Sequence, residues 1–156
     1  MHVKDPHSIH KDKRLLAKHK ILNIEWYINN YSDLSENTLG KRIRKVRLQK
    51  NMTQKDLASK CKLSSDTICN IESERIKNPS IKTINKISTM LCTTNKYLLN
   101  LNNCNYNKIK KFRLEKGYTQ RELASLLGIH QSTLTDYESG KIKTNKNILN
   151  NLCNIL

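Results

Sequence analysis

The chain has 156 residues, 29 of them basic and 13 acidic, with only 5% aromatics, four glycines and two prolines. Scarce Gly and Pro beside abundant Leu, Ile, Lys and Asn favour helices over a sheet, and a formal charge of +16 points to a polyanion, nucleic acid before anionic membrane. No apolar run reaches the roughly eighteen residues of a membrane span, and acids and histidines stand where a signal peptide would be apolar, so a cytoplasmic location is expected.

Residues 1–38 are expected to form a polar tail followed by an amphipathic helix. His2, His7 and His10 lie near Asp5 and Asp12, but ligands on a flexible tail lack the fixed geometry that a metal site needs. A nuclease would have only these histidines to rest on; the sequence shows no nucleophile–base pair and no phosphate-cradling Gly-rich loop. The expectation is therefore no enzyme, no metal, no cofactor and no small-molecule ligand. From Ala17 the apolar residues Ala17, Ile21, Ile24, Ile28 and Tyr31 recur at helical steps. Such a helix must pack on something; lying against the rest of the chain is favoured over mediating a homodimer.

The charge is uneven. Residues 1–38 carry 6 basic and 5 acidic groups, 39–103 carry 14 and 4, and 104–156 carry 9 and 4. Thr38 is a plausible N-cap for a first helix with Leu39, Ile43, Val46 and Leu48 inward and Lys41, Arg42, Arg44, Lys45 and Lys50 outward. Asn51 ends it. Thr53 opens a second helix, with Asp56 three residues on in a capping-box arrangement. After Lys62-Leu63 a third helix carries Thr67-Ile68 and closes at Glu72.

This order then repeats. A shift of sixty-six positions pairs Ile43 with Ile109, Arg47 with Arg113, Asn51 with Gly117, Thr53 with Thr119, and Glu72 with Glu138; between 43 and 77, fifteen of thirty-five pairs are identical. The expected organisation is an all-α chain of two tandem modules, at 39–100 and 107–156, joined by a linker at 101–106. Cys61, Cys69, Cys92, Cys104 and Cys153 form no Cys-x-x-Cys pair and are read as reduced core filler.

Two short helices joined by a tight turn are a helix-turn-helix. The run Arg-Leu-x-Lys-x-x-Thr-Gln-x-x-Leu-Ala, then Thr-x-x-x-x-Glu, resembles the Cro and lambda-repressor type, the XRE family, and it occurs twice. The resemblance implies a third helix that enters the major groove. It places Ser65, Asp66 and Asn70, and Gln131, Ser132 and Asp136, against the bases. Gln131 and Asn70 have the donor and acceptor for adenine, and Asp66 or Asp136 could accept from cytosine, although Asp136 is read more readily as orienting a neighbouring side chain. Phosphate contacts are implied for Thr53, Gln54, Ser64, Arg75 and Lys77, and for Thr119, Gln120, His130, Lys141 and Lys143. Arg47 with Glu72, and Arg113 with Glu138, are implied as structural ion pairs.

Module one also has segments matching the family's later helices, Ser80 to Leu91 and Asn95 to Leu99, whereas module two reads as shortened after its fourth helix. Leu149, Leu152, Ile155 and Leu156 would then need cover from the amino-terminal helix or a second subunit. Lys62 stands where the family turn carries Gly, as Gly128 does, which suggests a slightly different turn in module one. The function expected is a sequence-specific DNA-binding transcriptional regulator, a repressor more than an activator, because occluding a promoter requires only binding. The alternative is an antitoxin or accessory protein whose second module binds a protein partner.

Overall fold

The computed structural model describes Tyr31 and residues 34–155. The predicted tail and amphipathic helix, apart from Tyr31, lie outside the described residues, as does Leu156. The described segments are helical, with no strand among them. Module one comprises α1 (Leu39–Gln49), α2 (Gln54–Cys61), α3 (Ser65–Glu72), α4 (Ile81–Met90) and the single turn α5 (Asn95–Leu98). Module two comprises α6 (Lys108–Lys116), α7 (Gln120–Leu126), α8 (Gln131–Ser139) and α9 (Lys146–Asn154).

Side-chain caps explain the boundaries. Thr38, Thr53, Ser64, Ser80 and Thr94 each accept a backbone N–H three residues on at the start of a module-one helix. Asn107, Thr119, His130 and Asn145 cap the helices of module two. At Thr53 and Thr119 the capping boxes close in both directions: Asp56 Oδ2 accepts from the Thr53 amide at 2.8 Å, and Glu122 Oε2 from the Thr119 amide at 2.8 Å. These bonds stabilise the ionised carboxylates. Asp56 is held below its usual pKa by the Thr53 hydroxyl and then the Thr53 amide, and Glu122 chiefly by the Thr119 amide.

A carboxylate whose pKa is lowered on folding contributes stability that is complete above its unfolded value and fades as pH falls through the folded one. The melting temperature is therefore expected to be level from about pH 8 to about pH 6 and to fall below about pH 4, with a shallower fall in the double variant Asp56→Asn, Glu122→Gln. Acid melting curves that superimpose for the two proteins would refute this.

Each module has its own core. Ile43, Leu57, Ala58, Ile68, Ile71, Ile84, Ile87, Leu91 and Leu98 are buried in the first; Ile109, Leu123, Ala124, Leu127, Leu134, Ile148 and Leu152 fill the second. Ala58 and Ala124, each 3% exposed, stand at matching positions of α2 and α7. In module one α1 also lies hard against α3, since a Cβ on Gly40 would fall 2.2 Å from the Ile71 carbonyl oxygen. Module two omits this approach, because α6 begins only at Lys108, at the position of Arg42.

Several expectations are corrected. Only Cys61 of the five cysteines is buried; Cys69, Cys92 and Cys153 are exposed and Cys104 is half-buried, all with free thiols. Cys69 follows Ile68 onto the outer face of α3, and Cys92 sits in the left-handed turn after α4. Arg42 does not belong to the outer ring of α1. It is buried, its Nε donating to the Leu98 carbonyl at 2.7 Å and its Nη1 to the Glu36 carbonyl at 2.5 Å. The end of α5 leaves carbonyls without helical partners, and Arg42 is the donor that reaches one of them.

Lys62 is left-handed at φ 53°, like Gly128 at φ 65°, so the two turns follow the same path after all. The cost is about 1 kcal/mol for a residue with a Cβ. Asn51 and Gly117 are both left-handed too, at φ 52° and 79°.

Candidate nucleic-acid interface

Each third helix carries its predicted reading residues two in the first turn and one a turn further on. In α3, Asp66 is exposed and Ser65 and Asn70 are half-buried; in α8, Gln131 and Ser132 are exposed and Asp136 is half-buried. Asp66 and Asn70, like Ser132 and Asp136, are four residues apart and share one helix face. Both helices are held from behind. Arg47 Nε and Nη2 donate to Glu72 Oε1 and Oε2 at 2.7 and 2.8 Å, and Arg113 forms the same fork on Glu138 at 2.5 and 3.0 Å. The remaining Nη1 of each arginine donates to the loop before the second helix, to the Met52 carbonyl at 2.6 Å and the Tyr118 carbonyl at 3.1 Å. One guanidinium thereby ties the first helix to both parts of the helix-turn-helix.

Gln54 and Gln120 add to this tie. Their Nε2 atoms donate to Glu72 Oε2 and Glu138 Oε2, each at 2.9 Å. The family resemblance implies only phosphate contact for these amides. Here one N–H of each joins the start of the second helix to the end of the third, leaving the other N–H and the carbonyl oxygen for a ligand. The exact repetition of Gln and Glu at the same spacing in both modules was the available signal.

Other predicted contacts are engaged within the protein. The Ser64 hydroxyl bonds Thr67 Oγ1 at 2.8 Å while capping α3, and His130 Nδ1 bonds the Ser132 hydroxyl at 2.8 Å while capping α8. Asp136 forms an ion pair with Lys141 at 3.6 Å, which brings a predicted base contact onto a predicted phosphate contact. Arg75 and Lys77, with Lys141 and Lys143, are exposed in the loops after the third helices.

Glu74 has a role that neither the repeat nor the resemblance implies. It is left-handed at φ 64° where module two has Gly140 at 75°, and its carboxylate accepts from the Thr38 hydroxyl at 2.8 Å, with Lys41 Nζ at 3.9 Å. These bonds fix the loop carrying Arg75 and Lys77 to the start of α1.

Two helices at a tight left-handed turn, the second capped and with exposed polar residues in its first turn, define each module as a helix-turn-helix. Residues 40–103 match a family model described as "Helix-turn-helix domain" and residues 109–156 one described as "Helix-turn-helix". The chain carries two helix-turn-helix domains of the XRE type in tandem, the architecture of a DNA-binding regulator. No curated protein and no solved structure gives a significant match. Among the described residues no helix is long and apolar enough to cross a membrane.

Proposed function

We propose that the protein is a sequence-specific transcriptional regulator of double-stranded DNA in the cytoplasm, acting as a repressor by occluding promoter DNA. The duplicated brace carries this reading: both third helices are fixed by the same Arg–Glu–Gln arrangement, and Asp66, Gln131 and Ser132 in their first turns are exposed. Recognition requires a presented and immobile edge. Asn70 and Gln131 supply the amides suited to adenine, and Ser65, Asp66 and Ser132 supply shorter donors and acceptors. In this assignment Asp136 chiefly orients Lys141 towards the backbone.

Selection from a random duplex pool tests the reading with the intact chain and with two double variants, Ser65→Ala, Asn70→Ala and Gln131→Ala, Ser132→Ala. A two-part site is expected for the intact chain, each variant losing preference in one part, with a cost of about 1–3 kcal/mol per good bidentate contact removed. No enrichment of any duplex would overturn it.

A second reading has its own support on module two. Leu126 and Leu149 are 53% and 46% exposed, apolar surface suited to a protein partner of the kind an antitoxin or accessory protein would hold. It is favoured if substitution of Gln131 and Ser132 leaves DNA affinity unchanged while substitution of Ser65 and Asn70 abolishes it.

A further inference from the structure

The two modules touch at a joint that no repeat position predicts. The connector between α5 and α6 is folded: Leu101 is buried, and the Asn103 amide donates to the Asn100 carbonyl at 3.1 Å. Asn85, on α4, reaches across to module two, where its Nδ2 donates to the Gly117 carbonyl at 2.7 Å. Asn85 is itself held, because Asn95 Nδ2 donates to its Oδ1 at 2.6 Å and Asn95 is buried. Gly117 closes α6 two residues before Thr119 caps α7. A Cβ at Gly117 would fall 2.4 Å from Asn85 Oδ1, so the glycine serves the contact as well as the left-handed turn. Asn51, its counterpart in module one, is exposed, and among the described residues no bond to its carbonyl corresponds to this one. Two ion pairs flank the joint, Lys82 with Glu122 at 3.4 Å and Lys96 with Glu115 at 3.6 Å.

We propose that Asn85 is a positioning residue that locks module two onto module one, so that the tandem chain reads a composite DNA site at one set spacing of its two parts. The inference rests on the DNA-binding reading for its consequence but not for the joint itself. The contacted segment leads directly into α7, whose first residues are assigned to phosphate, and α4 packs on α2 of the first helix-turn-helix. An amide relay between them leaves the two recognition helices little relative freedom. A flexible tether would tolerate many spacings, whereas a rigid one gains its full avidity only where both parts are in reach.

The test uses the full-length chain, Asn85→Ala, and Lys82→Glu, the last an exposed position where reversal of charge opposes Glu122 without entering either core. Residual dipolar couplings report the joint with no DNA present. One alignment tensor shared by both modules is expected for the parent chain, and separate tensors for Asn85→Ala. Binding is then measured on duplexes carrying both half-sites at stepped spacings. The parent is expected to prefer one spacing by about tenfold or more, and Asn85→Ala to lose that preference with single half-site affinity unchanged. Lys82→Glu should move both readouts in the same direction. A shared tensor and an unaltered spacing preference in Asn85→Ala would overturn the proposal. A parent chain that binds no duplex would refute the DNA reading, while the tensors would still decide the joint.

Discussion

Replacement of Arg47 by alanine is expected to destabilise module one by about 3–5 kcal/mol, the usual consequence of removing one partner from a buried ion pair. Burial decides the magnitude. Arg47 and Glu72 are 6% and 8% exposed, and the guanidinium donates three hydrogen bonds across three segments. Without it the Glu72 carboxylate stays buried with only the Gln54 amide beside it, and the Met52 carbonyl loses its donor. Exposed pairs such as Lys82 with Glu122 are screened by solvent and offer a contrast within the same molecule. Chemical denaturation of Arg47→Ala, Arg113→Ala and Lys82→Ala, followed through amide signals of each core, is the measurement. The arginine variants should each weaken their own module most. A loss below about 1 kcal/mol for Arg47→Ala would mean that the brace is not holding α3.

How legible this was depended on whether a feature is local or duplicated. Thr53 with Asp56 and Thr119 with Glu122 are read from a three-residue spacing, and the structure closes both capping boxes. The Arg47–Glu72 and Arg113–Glu138 braces followed from the repeat and the family resemblance together. Features belonging to one module only were hidden. Arg42 looks like one more surface cation until α5 turns back and presents the Leu98 carbonyl to it. Asn85 lies in a polar stretch of α4, and its partner, the Gly117 carbonyl, is thirty-two residues on. Neither Asn85 nor the Leu101 burial could be reached from periodicity, because both arise where the modules meet rather than inside either. The cysteines misled for a related reason. A small apolar side chain next to a core position fits either face, and only Cys61 turned inward.

Replacing Arg75, Lys77, Lys141 and Lys143 together by glutamine is expected to weaken binding roughly 10³-fold at about 0.15 M salt, the effect of losing four phosphate contacts. Six to eight neutralised phosphates give the parent chain a log–log salt slope of roughly −5 to −7, and each lost contact should bring it about one closer to zero. All four side chains are exposed and outside both cores, so melting should shift by no more than about 0.5 kcal/mol in stability. Lys141 is the one with a second role. Its loss leaves Asp136 without its 3.6 Å partner, adding a bare carboxylate near the phosphates, and Lys141→Gln alone should therefore weaken binding more than Lys143→Gln. The preferred sequence should survive the fourfold change, since backbone contacts position the protein without specifying bases. Fluorescence anisotropy against a salt series separates these outcomes. A slope near zero in the parent would remove the electrostatic basis of the DNA reading, and a parent-like slope in the variant would place the phosphate contacts elsewhere on the basic surface.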